Sequence, residues 1–279
     1  MNFKNLEDKC QYYRSLTDYR LLPNSNILVM LDGKNFSRLI KNNFKKPFDD
    51  DFIDMMNQTA KFLCENVQGC KLAYVQSDEI SLFITDYDTP ETDTLFGGRL
   101  CKIQSILASM ATSEFNKQML LYKIKKDAYG IGTLYDSKDT IYNIKDCVEK
   151  IEETNFAQFD CKAWVVPNQN DVFAWYLYRQ IDCIKNSKQQ TAQTYISHKE
   201  LLGKNADEQV ELCKEKGIVD WNKFEDKYKY GRFIYKKLTS YTKDIKGETV
   251  AFVRNKFAVF DAFPLTENKE KFFELWKLN

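Results

Sequence analysis

The sequence has a single histidine, His198, and none of its eight cysteines forms a CxxC pair. A structural zinc site needs closely spaced cysteine and histidine ligands, so the sequence offers no basis for one. A catalytic histidine needs an orienting partner that one isolated residue does not reveal, and we interpret His198 as structural. Most of the cysteines are expected to be reduced and buried.

Charge bias and long apolar runs are absent as well. The formal net charge is only +1, so nucleic-acid binding would depend on locally clustered Lys and Arg. No apolar run reaches the length of a membrane span, and residues 1–20 lack the features of a signal or transit peptide. We expect a soluble intracellular protein, cytoplasmic, with a mitochondrial location left open.

What is present is enough apolar sequence, 43% of 279 residues, for a sizeable core. Short apolar runs predict four strands, at residues 26–31, 71–76, 80–85 and 159–166. Apolar residues at helical spacing predict three helices, from 50 to about 69, over 95–119, and from 171 to about 190. This order is the βαββαβ plan of a split ferredoxin-like α+β fold, an antiparallel-containing sheet with helices on one face.

Two parts follow from this order. Residues 1–190 are predicted to form the domain that contains this sheet, interrupted by a polar insertion at 120–158. Residues 191–279 form a Lys-rich extension whose pattern does not predict a fold.

Two acidic residues follow predicted strands. Asp32 ends the first run, and Asp78 lies at the tip of the predicted hairpin. Because sequential elements usually lie side by side, we expect both carboxylates to face one cleft. Mg²⁺ takes oxygen ligands, commonly one or two carboxylates with substrate phosphates, and two such ions assist in-line phosphoryl displacement. The alternative is that both acids are solvated turn residues.

Residues beside these acids suit phosphate binding. The segment Gly33-Lys34-Asn35-Phe36-Ser37 follows Asp32, so its backbone amides are candidates for binding an oxyanion. The Gly33 carbonyl is a further candidate metal ligand, although a DG pair is also an ordinary turn signal. Glu79 either ligates the metal, supports its ligands or begins the third strand, and the sequence leaves this open.

Basic and polar residues are the next candidates. Arg99 and Lys102 lie on one face of the predicted helix 95–119 and suit phosphate, as does Lys46 in the loop after the first strand, with a solvated surface as the alternative. On the last helix Arg179 and Asp182 are placed to pair across adjacent turns, among more polar residues than packing needs.

A basic and aromatic segment spans residues 223–246, where eight Lys and Arg stand against three acids. Such a composition suits RNA, through phosphate neutralisation and base stacking. The alternating aromatics between Tyr228 and Tyr235 equally indicate a strand whose lysines face water, and both interpretations stay open. The candidate RNA contacts are Lys229, Arg232, Lys236 and Lys237.

Five blocks, in order, resemble the tRNA-histidine guanylyltransferase superfamily. They are LDGKNFSRLIKNNFKKPFD (31–49), YVQSDEISL (74–82), the helix start at 96–102, FDCKAWVVP (159–167) and YRQIDCIKNS (178–187). The resemblance implies a polymerase-type palm in which Asp32, the Gly33 carbonyl and Asp78 bind metal and Glu79 is the adjoining acid. It also implies a set of nucleotide contacts, at residues 32–37, Ser77, Asp78, Lys46, Arg99, Lys102 and Asn186.

The resemblance further implies the reaction and its partners. ATP activates a 5′-monophosphorylated tRNA, the 3′-hydroxyl of an incoming nucleotide such as GTP then attacks, and AMP leaves. Two Mg²⁺ ions, nucleoside triphosphates and a tRNA are the implied cofactors and partners, with a homotetramer as the implied assembly.

Departures from the family pattern decide between branches. Ile184-Lys185-Asn186-Ser187 stands where guanylyltransferases proper carry His-Ile-Asn-Asn, and Ser37 occupies a position often held by His. Both resemble the branch that repairs 5′-truncated tRNAs from a template, which we predict. The alternatives are guanosine addition to tRNA-histidine and, more distantly, a nucleotide cyclase or a non-catalytic tRNA-binding protein.

Overall fold

A computed structural model of the chain describes residues 3–130, 156–245 and 248–277. One antiparallel sheet has the strand order β4-β1-β3-β2-β5-β6. The strands are β1 (Asn26–Gly33), β2 (Cys70–Gln76), β3 (Glu79–Thr85), β4 (Phe159–Val166), β5 (Arg232–Ile245) and β6 (Glu248–Asp261). The α-helices are α1 (Leu6–Ser15), α2 (Phe36–Asn43), α3 (Asp50–Asn66), α4 (Leu100–Gly130), α5 (Gln169–Tyr195), α6 (His198–Leu201), α7 (Ala206–Glu215), α8 (Asp226–Lys229) and α9 (Lys269–Glu274).

The predicted order of elements is confirmed, from β1 through α3, the β2–β3 hairpin and α4 to β4 and α5. The fold is a mixture of helices with a single antiparallel sheet. Local signals explain the helix starts: the Asp49 side chain caps α3 by accepting from the amides of Asp51 and Phe52, and Asn168 caps α5 in the same way. The segment after β1 was expected to be a loop, but it contains the short helix α2.

Helices cover both faces of the sheet, so the prediction of helices on one face was wrong. On one face α3 and α4 pack against Ile27, Val29 and Leu31. On the other, α5 and α9 pack against Leu28 and Phe83. The physical reason is visible in the hairpin, since every residue of β2 and β3 is buried. Such strands need an apolar cover on each side.

The segment that the sequence pattern left unfolded extends this sheet. β5 pairs with β2, with Val75 opposite Arg232, and β6 pairs with β5 along its length. Trp276, after α9, packs edge-on against Phe83 of β3, with 5.1 Å between the ring centroids. The division at residue 190 falls within α5 and remains a prediction. Most of the predicted insertion, 120–158, lies outside the described residues, and α4 continues into its first part.

The second predicted helix begins later than expected. Residues Leu95–Gly98 form a 3₁₀ turn in which Phe96 and Gly97 have left-handed backbone angles, and α4 begins only at Leu100. Arg99 therefore precedes the helix instead of sharing a helical face with Lys102. Among the described residues, no helix is long and apolar enough to cross a membrane.

Candidate functional site

The sheet brings the two predicted acids together. Asp32, near the end of β1, lies opposite Glu79 at the start of β3. The Gly33 amide donates a hydrogen bond of 3.2 Å to the Asp78 carbonyl. This bond fixes the hairpin tip against the end of β1, with Ser77 in a left-handed conformation at the turn. The expected convergence of Asp32 and Asp78 is thus present in the structure.

The electrostatics of this pair favour a cation. Burial raises the pKa of Asp78, and the nearby charge of Asp32 raises it further, while a hydrogen bond with Ser77 opposes both effects. Burial also raises the pKa of Asp32, followed by the charge of Asp160. Each carboxylate therefore carries a cost of ionisation that a bound cation would offset.

Asp160 is an acid that the sequence pattern did not single out. It lies on β4 directly opposite Asp32, which has Glu79 on its other side. Only the register between β1 and β4 reveals this placement, since the two residues are far apart in the chain. The acid within the FDCKAWVV strand was the one available signal.

Glu79 is held by an arginine. The Arg179 Nε donates to Oε1 at 2.7 Å and Nη2 donates to Oε2 at 2.5 Å, so both carboxylate oxygens accept from one guanidinium. The same Nη2 reaches Asp182 at 3.0 Å, which confirms the predicted pairing of these two residues on α5. Burial raises the pKa of Glu79, and Arg179 opposes that rise. Glu79 also begins β3, one of the alternatives for it.

A cavity of about 530 Å³ opens at these acids. Its lining includes Asp32, Ser77, Asp78 and Glu79 at one end and a face of α5 that carries Asn186. Four of the predicted nucleotide contacts therefore share one cavity. A cavity of this size has the dimensions of a small-molecule site.

The segment after Asp32 lies outside that lining. Phe36 is only 1% exposed and its ring packs against Phe52, Phe115 and Phe159, so its side chain belongs to the core instead of contacting a nucleotide. A Cβ at Gly33 would lie 2.4 Å from the Phe36 ring, which explains the glycine. Asn35 precedes α2 without a side-chain capping bond. The amides of Gly33 and Lys34 donate to the carbonyls of Asp78 and Gln158, and the anion site predicted for this segment stays a prediction.

The remaining predicted phosphate contacts lie elsewhere. Arg99 and Lys102 line a second cavity, of about 370 Å³, together with Arg14 and Asp18. Lys46 is exposed beside the first cavity without lining it. The structure therefore divides the predicted nucleotide contacts between the main cavity, the second cavity and residues outside both linings.

The predicted RNA contacts divide as well. Lys237 is exposed on β5, and Lys229 and Lys236 are half-buried. Arg232 is only 4% exposed and donates from Nε to the Asn57 Oδ1 at 3.1 Å, so it does not belong to an exposed basic surface. It lines the first cavity instead. The predicted strand is present from Arg232 onward, whereas residues 226–229 form α8.

A βαββαβ sheet that gathers strand-end carboxylates at one cavity defines a class of enzyme that works on phosphate groups. Comparison with known proteins gives the family. The model of the tRNAHis guanylyltransferase (Thg1) family matches residues 8–167, and the chain belongs to this family. It is a nucleotidyltransferase, as the five blocks predicted.

Similar proteins extend the match over most of the chain. The tRNA(His) guanylyltransferase of Schizosaccharomyces pombe is 27% identical over 78% of this chain and 73% of its own. A bacterial tRNA(HIS) guanylyltransferase (Thg1)-like protein solved in complex with ATP has a TM-score of 0.76 and 29% identity, covering 99% of this chain and 100% of that one. A GTP complex of a protein with the same description has a TM-score of 0.71 and 28% identity, covering 97% and 98%.

Proposed function

We propose that this protein adds a nucleotide to the 5′ end of a tRNA, with guanosine addition to tRNA-histidine as the first candidate. The observation that carries the proposal is the meeting of Asp32 and Asp78 in one cavity of a chain that belongs to this family. The names of the curated relatives support tRNA-histidine as substrate. The predicted alternative is therefore better supported than template-dependent repair.

The donor set at Asp32 and Asp78 fits Mg²⁺. Within the described residues, no three or more His, Cys, Asp or Glu side chains lie together so that they could hold a metal ion without other ligands. Two carboxylates are what Mg²⁺ commonly takes from a protein, with phosphates and water as further ligands. Asp32, the Gly33 carbonyl and Asp78 would hold two such ions, which would neutralise charge on the reacting phosphates.

The chain's own residues contribute binding and positioning. We infer that the start of α2, with Lys34, Asn35 and Ser37, binds a triphosphate through the positive end of the helix. The two hydrogen bonds from Arg179 hold the Glu79 carboxylate, and Glu79 lies opposite Asp32. In the reaction the RNA 5′-phosphate first displaces pyrophosphate from ATP. The 3′-hydroxyl of the incoming nucleotide then attacks the phosphorus of the RNA 5′-phosphate, losing its proton, and AMP leaves. Phosphoryl transfer depends mainly on such positioning and charge neutralisation.

Other parts of the proposal concern the partner RNA. Lys229, Lys236 and Lys237 are proposed to contact tRNA phosphates, and Arg99 and Lys102, with Lys46, to bind a triphosphate outside the main cavity.

The palm identity of the sheet and the homotetramer belong to the same proposal. The strand order β4-β1-β3-β2, with acids at neighbouring strand ends, supports the palm.

A second candidate function is the repair of tRNAs that lack their first 5′ nucleotide. The residues Ile184-Lys185-Asn186-Ser187 favour it because they replace the family's His-Ile-Asn-Asn. Of the replaced residues Ser187 lines the cavity, next to the retained Asn186, which donates to Asp182. The two solved structures that cover nearly the whole chain also bear the description guanylyltransferase-like.

The test compares labelled GTP incorporation into intact tRNA-histidine and into other tRNAs lacking their first 5′ nucleotide. Preference for intact tRNA-histidine supports guanosine addition, and preference for the truncated tRNAs supports repair. Absence of incorporation into both, with ATP, GTP and Mg²⁺ supplied, would contradict the proposal.

A further inference from the structure

One face of α5 forms a wall of the main cavity along most of the helix. The lining residues recur at helical spacing, from Arg179 through Asp182, Asn186 and Gln190 to Gln193. At 1.5 Å per residue, Gln190 lies about 16 Å along the axis from Arg179. The wall therefore leads from the acids at one end to a different chemistry at the other.

That far end carries three glutamines, Gln189, Gln190 and Gln193, here called the carboxamide wall. All three line the cavity, and within the described part of the chain their carboxamides have no hydrogen-bond partner. Gln180, on the same helix, shows the contrast. Its carboxamide donates to the carbonyls of Tyr230 and Phe263 and accepts from the Leu265 amide. Gln180 is buried and fully bonded, whereas Gln189 and Gln190 are half-buried and Gln193 is exposed, so the carboxamides of the wall are accessible to a ligand.

Other lining residues of the same cavity add aromatic and cationic groups. Phe48 and Tyr228 stack with their ring centroids 4.9 Å apart and 16° between the planes, and both line the cavity. Arg232 also lines it, and its buried Nη2 has no hydrogen-bond partner in the described residues. The guanidinium adds positive potential without a matching acid in direct contact.

We propose that the carboxamide wall binds the edge of a nucleobase. A carboxamide offers one acceptor and two donors, which match the donors and acceptors on base edges, and aromatic rings stack on base faces. The space between the acids and the wall leaves room for a ribose and its phosphates. This inference rests on the proposed function and names the recognition element of its site.

The base has two possible sources with the same chemistry, the incoming nucleotide and the 5′-terminal nucleotide of the RNA. The test uses the full chain carrying Gln190→Leu together with Gln193→Leu, which removes two carboxamides at similar volume. Gln58→Leu is the matched control, since Gln58 is exposed on α3 and lies outside the cavity. Calorimetry in Mg²⁺ measures the binding of GTP, inorganic tripolyphosphate and a 5′-phosphorylated tRNA.

We expect about a tenfold loss of affinity for one base-bearing probe, from the loss of hydrogen bonds to a base. Loss for GTP, with tripolyphosphate unchanged, assigns the wall to the incoming nucleotide. Loss for the 5′-phosphorylated tRNA, with GTP unchanged, assigns it to the RNA end. In either case Gln58→Leu should bind all probes like the wild type.

Unchanged binding of GTP and tRNA would overturn the inference, as would an equal loss for all probes including tripolyphosphate. The test does not require turnover. A protein that binds GTP in a base-dependent way yet adds no nucleotide to any tRNA would refute the proposed function. The inference that the carboxamide wall binds a base would still hold.

Discussion

At the scale of single residues, the site depends on acidic side chains that lie close together. Burial raises the pKa values of Asp32 and Asp78, to which the charge of Asp160 adds at Asp32 and the charge of Asp32 adds at Asp78, so the folded protein favours their neutral forms. The folded state is therefore least penalised by these groups at low pH, and the penalty grows as pH rises through their raised pKa values. A bound cation reverses this preference, and its affinity falls as the carboxylates are protonated.

Arg179 is the residue on which the neighbouring Glu79 depends. Its side chain and that of Glu79 are 10% and 8% exposed, so removing one partner leaves a buried charge unpaired. We predict that Arg179→Met lowers the free energy of unfolding by about 3–5 kcal/mol. Denaturant unfolding measures the change.

The control for this prediction is the double variant Arg179→Met with Glu79→Gln, which removes both charges. It should recover part of the lost stability, because no buried charge remains without a partner. A double variant that is as unstable as Arg179→Met, or a single variant as stable as the wild type, would show that the ion pair does not act as described.

Residue identity alone revealed only part of this arrangement. Asp32 and Asp78 could be predicted because each follows a strand-like run, and adjacent strands bring their ends together. The Arg179–Glu79 contact and the position of Asp160 could not, because both depend on the packing of α5 and on strand register. Sequence spacing carries neither.

At the scale of elements, the sequence predicted the strongly patterned segments and missed elements with weaker local signals. Helix α2 has eight residues and follows Asn35 in a left-handed conformation, instead of the extended Ser, Thr, Asn or Asp that usually marks a helix start. The start of α4 was misplaced because the apolar pattern continues through the 3₁₀ turn at Leu95–Gly98. Strand β5 was predicted only in part and as an alternative, over Tyr228 to Tyr235, and β6 was missed.

The second covered face was the larger omission. Uninterrupted apolar runs in the β2–β3 hairpin indicate burial on both sides, but nothing in the pattern shows which later segment supplies the cover. The structure shows that α5 and α9 supply this cover, and α9 lies nearly two hundred residues beyond the hairpin. Contacts over such distances in sequence are not visible from local periodicity.

The contribution of the C-terminal segment can be measured directly. Trp276 contacts Phe83 and lies 4.9 Å from the Phe272 ring, and it is 8% exposed. Trp276→Ala should lower the free energy of unfolding by about 3–5 kcal/mol through the cavity it leaves. Thermal or denaturant unfolding measures the loss.

An exposed leucine provides the comparison. Leu202 is 73% exposed, and Leu202→Ala should change stability by no more than about 0.5 kcal/mol. If Trp276→Ala proved as mild as Leu202→Ala, α9 would not belong to the core.

At the scale of the whole molecule, one sheet joins the acids to the later strands. Five ordered blocks identified the family from the sequence because each block carries chemistry at a fixed place in the chain. The choice of tRNA is a different matter, since it depends on RNA contacts outside any single motif. Family membership and the shape of the site therefore lead to nucleotidyl transfer, and substrate choice requires experiment.

The most direct test of the central claim is Mg²⁺-dependent incorporation of labelled GTP at the 5′ end of tRNA by Asp32→Asn and Asp78→Asn. Asp93→Asn is the control, because Asp93 is exposed and lies away from the cavity. Melting temperatures should not fall, because a neutral amide avoids the cost of burying charge. We predict that incorporation falls at least about 100-fold in both site variants while tRNA binding is kept. Incorporation at the wild-type rate by either site variant would contradict the account.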